Sequence, residues 1–324
     1  MTNSAHDMRA SEIVNKVGRL GWAVRELAQH GRPRAVLSFP GGLGDSLMLS
    51  TLAREFKRRD AGKVWVMTGA PELFGGNKDV DRVLPLESER HIYFARRFQC
   101  PHIVPSYAPD ILGRGWDTPP KRHILAEMCA QAGLQGPVDL RPYLWLDTEE
   151  LRQGKRSDRQ ITFQVTGRSA RYFMWTKEWY PERFQQVVEG LKGHFDIVQL
   201  GHITDPKLDG ALDLRGKTTI RESAAILANS LLFVGLVGFL MHLARAVDCP
   251  SVIIYGGREL PSQSGYVCNE NLVGTTACSP CWRYADCPGQ RACMDQIQVG
   301  QVVAAIHRRL ADSTRPLAIQ EMVL

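Results

Sequence analysis

Apolar residues recur along this chain at two periods, and the alternation between them predicts its elements. Ile13, Val17, Leu20, Val24 and Leu27 stand at helical spacing over residues 11–29, which predicts a helix packed on the body of the protein. Its charged side is mixed rather than strongly basic, which favours packing over a membrane-surface role. Arg34–Phe39 then reads as a strand, Ser46–Arg58 as a helix, Val64–Thr68 as a strand and Val83–Leu86 as a short strand. The run Arg122–Ala132 reads as a helix with Ile124, Leu125 and Met128 on one face. From Asp147 to Arg159 the pattern gives way to charged and polar residues, predicted to link two halves. A second series follows: strand Ile161–Val165, helix Pro181–Gly190, strand Ile197–Leu200, helix Ile220–Ala228, strand Leu232–Gly235, helix Met241–Val247 and strand Val252–Tyr255. An amphipathic helix, Val302–Leu310, comes last. Two successive βαβ series predict an α/β protein with two doubly wound parallel sheets, over residues 1–150 and 151–324. In such sheets ligands bind beyond the carboxyl ends of the strands, here in the cleft between the halves.

The length of 324 residues agrees with two domains, and 44% apolar with 23% charged residues is an ordinary globular composition. No apolar run approaches the length that crosses a bilayer. Met1–Asp7 has neither a basic start nor an apolar core, so no secretory signal is expected and the expected location is the cytoplasm. The net charge of +6 is mild and interspersed, without the aromatic–basic alternation of a nucleic-acid surface. It suits an anionic substrate, or peripheral contact with the inner face of a bacterial inner membrane.

Candidate chemistry gathers at three strand-to-helix turns and one loop. In Pro40-Gly41-Gly42-Leu43-Gly44-Asp45, glycines let a ligand approach the backbone where a helix begins. Asp45 there either caps the helix or accepts a proton. A nicotinamide-binding fingerprint would need a third glycine where Leu47 stands, so a dehydrogenase is excluded. The second turn carries Thr166, Gly167 and Arg168, with Lys177 near the next helix start; a hydroxyl and two cations complement a diphosphate. Lys177 taken alone reads as a solvated surface lysine. The third turn, Gly238-Phe239, would aim backbone amides at a phosphate, and His242 either touches that ligand or sits in the core. Four of the eight cysteines, Cys278, Cys281, Cys287 and Cys293, cluster in one loop. Four thiolates can surround one zinc or iron tetrahedrally, in a structural role with no open position. Cys100, Cys129, Cys249 and Cys268 read as buried residues.

Taken together these blocks resemble glycosyltransferase family 9, the bacterial ADP-heptose:lipopolysaccharide heptosyltransferases and their relatives. The resemblance rests on Gly44-Asp45 with Thr51, Asp79-Val80-Asp81-Arg82-Val83, and Lys177-Glu178-Trp179-Tyr180-Pro181-Glu182-Arg183-Phe184. It continues in Leu214-Arg215-Gly216-Lys217-Thr218-Thr219, Met241-His242-Leu243-Ala244 and Cys278-Ser279-Pro280-Cys281-Trp282. It implies a GT-B fold, two Rossmann-like halves with the acceptor on the first and a nucleotide-sugar, ADP-heptose-like, on the second. It also implies inverting transfer without a catalytic metal. By the resemblance Asp45 is the general base, with Gly42 and Gly44 on the acceptor side, and Lys177 contacts the donor diphosphate. Relatives that glycosylate autotransporter adhesins hold iron in a cysteine cluster, which sets iron beside zinc. Acceptors would be a glycan, a lipid-linked sugar or a protein, and oligomers are within the family's range. One departure stands out: Val237-Gly238-Phe239 replaces the family's usual Asp-Ser-Gly or Asp-Thr-Gly, so a carboxylate and a hydroxyl are missing. Asp205 could instead clasp the ribose hydroxyls. The departure also supports a different reading, a catalytically silent member that binds a glycan or a partner.

Overall fold

A computed structural model describes residues 3–59, 62–86, 99–107, 118–284, 286–312 and 320–324, with side chains from residue 17 onward. The first half runs α1 (Asn3–His30), β1 (Pro33–Ser38), α2 (Leu43–Arg59), β2 (Lys63–Thr68), β3 (Arg82–Pro85), β4 (His102–Ile103), α3 (Ile124–Gln131) and β5 (Pro137–Asp139). α4 (Thr148–Gly154) leads into β6 (Gln160–Phe163), α5 (Pro181–Leu191), β7 (Asp196–Gln199), β8 (Leu212–Asp213), α6 (Ile220–Ala228) and β9 (Leu232–Leu236). α7 (Phe239–Ala246), β10 (Ser251–Ile254), α8 (Pro261–Ser264), β11 (Glu270–Leu272), α9 (Ala292–Asp295), α10 (Val299–Ala311) and β12 (Glu321–Val323) complete the chain.

Two parallel sheets result, in the orders β3-β2-β1-β4 and β11-β10-β9-β6-β7-β8. Strands β6, β9 and β10 are buried along their whole length, as the apolar runs of a sheet covered on both faces require. Each order reverses once, between β1 and β4 and between β6 and β9, and a crevice opens at such a reversal beyond the carboxyl ends. β12 returns to pair antiparallel with β5, tying the chain's last residues to the first half.

One apolar cluster runs through both halves, from Leu37, Leu47, Met48 and Leu52 to Leu240, Met241 and Leu243. Each such side chain withdrawn from water contributes about 1.5–3 kcal/mol. The two helices that start at the crevices meet at their N-termini. A Cβ on Gly44 would lie 3.2 Å from His242 Cδ2 and 3.7 Å from Phe239 Cα, so glycine permits that approach.

Two expectations change. The charged stretch 147–159 contains a helix, because Asp147 and Glu150 form a reciprocal capping box. α4 lies so close to α6 that a Cβ on Gly154 would overlap the backbone of Ala225. The second change is that α2 begins at Leu43 rather than Ser46, since the N-cap carbonyl is that of Gly42, which accepts Ser46 N–H at 3.0 Å. Among the described residues no helix is long and apolar enough to cross a membrane.

Candidate functional site: a cleft between two sheet reversals

A cavity of about 620 Å³ lies between the halves. Gly42, Gly44, Asp45 and Tyr107 reach it from the first sheet's reversal; Gln164, Gly238, Lys177 and Glu259 reach it from the second half. Asp45 occupies the third position of α2. Its Oδ2 accepts Gly42 N–H at 2.9 Å, one arm of a capping box, and its Oδ1 accepts the Tyr107 hydroxyl at 3.0 Å. The capping and proton-accepting readings are therefore compatible. A Cβ on Gly41 would lie 2.5 Å from Asp45 Oδ2, so the turn needs glycine there. Burial raises the Asp45 pKa, against the opposing pull of the Gly42 amide, the Tyr107 hydroxyl and the Lys177 charge.

Lys177 is no solvated surface lysine. Its Nζ sits 2.5 Å from Glu259 Oε1, and Arg258 Nη1 donates to the same oxygen at 3.0 Å. Burial lowers the Lys177 pKa, outweighing the stabilising charge of Glu259. Burial alone would raise Glu259, but Lys177 and Arg258 bring it down to about 2. Arg258 is fixed in turn by the carbonyls of Trp282, at 3.1 Å, and Arg283, at 2.9 Å. The cluster presents two cations and one carboxylate beside the cavity, an arrangement suited to an anion that shares the cations.

His242 belongs to both of its alternatives, buried yet on the cavity wall. Burial, then the Lys177 charge, lowers its pKa to about 3, so it is neutral at working pH. Tyr266 OH lies 2.6 Å from its Nδ1. α7 opens at Gly238 without a side-chain cap, which leaves its first amides and its positive dipole end free for a ligand. A Cβ on Gly238 would meet nothing within 4 Å.

Asp205 lines the cavity from the turn after β7. Its Oδ2 accepts His202 N–H at 2.8 Å, while its Oδ1 is buried without a partner among the described residues. Gln164 Oε1, at the end of β6, is in the same condition. Both residues line the cavity, and a buried acceptor without a partner calls for one. Thr166 is placed elsewhere: its hydroxyl donates to Glu178 and accepts Arg168 N–H at 3.1 Å, and it stands outside the cavity lining. It shapes the loop rather than facing a diphosphate.

Cys278, Cys281, Cys287 and Cys293 line one small cavity of about 20 Å³, and Cys287 Sγ accepts Arg291 N–H at 3.2 Å. Four soft donors around a space of one ion's size fit zinc or iron in chemistry. Among the described residues no group of three or more His, Cys, Asp or Glu side chains already stands in an ion-holding arrangement. Cys100, Cys129, Cys249 and Cys268 are buried, as expected.

Sequence reasoning missed Tyr107, Gln164, Arg258 and Glu259. Gly256-Gly257-Arg258-Glu259 after a strand repeats the glycine-then-charge pattern of Gly41–Asp45 and was a legible signal. Tyr107 follows a two-residue strand and had none.

Two Rossmann-like sheets closing on a cleft between their reversals define the GT-B class of glycosyltransferases. Residues 150–290 match the model of glycosyltransferase family 9 (heptosyltransferase). No curated relative matches its sequence. Among solved structures it is similar to Escherichia coli ADP-heptose LPS heptosyltransferase II, at 16% identity over 86% of this chain and 99% of that one, TM-score 0.66. It is likewise similar to the iron-containing dodecameric glycosyltransferase TibC from enterotoxigenic E. coli, at 20% identity over 87% and 80%, TM-score 0.66. A TibC complex with ADP-D-beta-D-heptose gives 17% identity over 87% and 77%, TM-score 0.63.

Proposed function

We propose that the chain is an inverting glycosyltransferase that moves a sugar, heptose foremost, from a nucleotide-diphosphate donor to a bacterial surface glycan such as lipopolysaccharide, or to a protein hydroxyl. The observation that carries this reading is Asp45 on the wall of the same cavity as Lys177, Glu259 and the uncapped start of α7. In the proposed reaction Asp45 takes the proton from the acceptor hydroxyl as its oxygen bonds to the anomeric carbon. The bond from that carbon to phosphate breaks on the opposite face, and the nucleoside diphosphate leaves with the electron pair. Lys177, Arg258 and the amides at Gly238 and Phe239 offset the charge on the leaving group; removing one such donor commonly costs about 10²–10³ in rate. General-base assistance typically adds about 10²–10⁴. Asp205 Oδ1 accepts a ribose hydroxyl.

The four cysteines would hold zinc or iron and so fix the loop that carries Trp282; the ion supplies cross-linking and no chemistry. TibC's dodecamer makes assembly a property to measure by sedimentation; the proposed location is the cytoplasm, where the mild positive charge suits peripheral contact with the inner membrane face. The alternative, a silent binding subunit, is favoured by Val237, which is apolar and buried at the cavity. A thermal-shift screen with ADP-, GDP- and UDP-sugars separates the two. Stabilisation by one donor, with turnover at least 10²-fold lower in Asp45→Asn, supports the enzyme. No response to any donor supports the silent subunit. Metal analysis of protein purified without a histidine tag is expected to find about one zinc or iron per chain, and its absence overturns the metal reading.

A further inference from the structure

A general base has to be aimed as well as ionised. Asp45 has a short side chain whose carboxylate plane is set by two donors. One, Gly42 N–H, belongs to the same turn. The other, the Tyr107 hydroxyl, arrives from beyond β4, because β4 pairs with β1 and brings its carboxyl end beside the glycine turn. Tyr107 is itself braced. Its ring stacks on Phe39 at 6.2 Å with an interplanar angle of 7°, and tilts against Trp282 at 6.4 Å. Phe39 directly precedes Pro40-Gly41-Gly42, so the stack fixes Tyr107 to the segment it serves.

Resting on the reading of Asp45 as base, we infer that Tyr107 is its positioning residue: the phenol orients the carboxylate toward the acceptor and donates to its charged form. Burial and then the nearby Asp45 charge push the phenol pKa well above 10, so Tyr107 remains a donor throughout the working range. The other groups facing Asp45 are Lys177, from the turn before α5, and neutral His242, from α7; Glu259 and Arg258 stand behind Lys177. Only Tyr107 and Lys177 among these favour the anion, and only Tyr107 touches it.

Tyr107→Phe removes the hydroxyl and keeps the ring that fills the stack, so the fold is retained. Titration of ¹³C-aspartate-labelled protein by NMR, with Asp45→Asn to assign the resonance, reads the contact without any substrate. Loss of one hydrogen bond to a charged group is expected to move the Asp45 midpoint up by about one to two pH units. The same displacement is expected in the acid limb of ADP release from ADP-heptose, with the high-pH plateau also lowered because the carboxylate loses its aim. An unmoved midpoint, or a plateau rate equal to the parent's, overturns the positioning role. Asp45→Asn that still releases ADP at the parent rate overturns instead the base reading on which this role rests.

Discussion

At the residue scale, Glu259 is the one counter-charge shared by two cations, Lys177 and Arg258, and its removal tests the electrostatics of the donor side. Glu259→Gln leaves Lys177 and Arg258 without their counter-charge, and breaking a buried pair in this way typically costs about 3–5 kcal/mol. The variant is expected to melt well below the parent and to gain more from ADP than the parent does, because the diphosphate restores the missing negative charge. A thermal-shift titration with ADP checks both parts, and equal gains in the two proteins would remove Glu259 from the site. Lys177→Ala should mainly weaken donor affinity, and calorimetry with ADP-heptose showing unchanged binding would remove the lysine. Asp45 and Lys177 were legible because each stands in a recognisable local pattern. The turn that carries Glu259 had a signal of its own, but its pairing with Lys177 did not, since the two lie on different strands' turns.

At the element scale, the cleft depends on how closely α2 and α7 meet. Gly44→Ala places a methyl 3.2 Å from the His242 ring, and that ring is held by Tyr266. The helices must part by a few tenths of an ångström. Alanine also gains about 0.8–1 kcal/mol in helix propensity over glycine, which offsets the crowding. The melting temperature is therefore expected to change little while ADP release from ADP-heptose falls; equal effects on both would show that the contact serves stability alone. The helix α4 illustrates what periodicity misses. Its composition is that of a solvated link, yet Asp147 and Glu150 spell the capping box that starts it. Strands β4, β5, β8, β11 and β12 are two or three residues long, too short for any alternation to register.

At the scale of the whole molecule, two neutral histidines sit where the halves join. His123 caps α3 through Nδ1 and donates Nε2–H to Gly265 O of the second half at 2.9 Å; His242 packs on Gly44 of the first. Burial is the main cause that lowers His123 to about 4 and His242 to about 3. An unfolded histidine titrates near 6.5, so between about pH 6.5 and 4 the unfolded chain binds protons that the folded chain refuses, and stability falls as pH falls. Below the folded values the two histidines add no further loss. The raised carboxyls of Asp45, Asp205 and Glu178 act in the opposite sense, whereas Glu259 adds its own loss below about 4.5. Urea midpoints measured at pH 7, 6 and 5 should descend, and a flat series would overturn this account. The sequence by itself determined the order of the longer strands and helices, the glycine turns and the acid set in the first of them, because periodicity and turn chemistry act over a few residues. Only the tertiary structure decided that β1 neighbours β4 and β9 neighbours β10. Sheet order depends on how distant segments bury their apolar faces together, and it alone brings Tyr107 to Asp45 and Glu259 to Lys177.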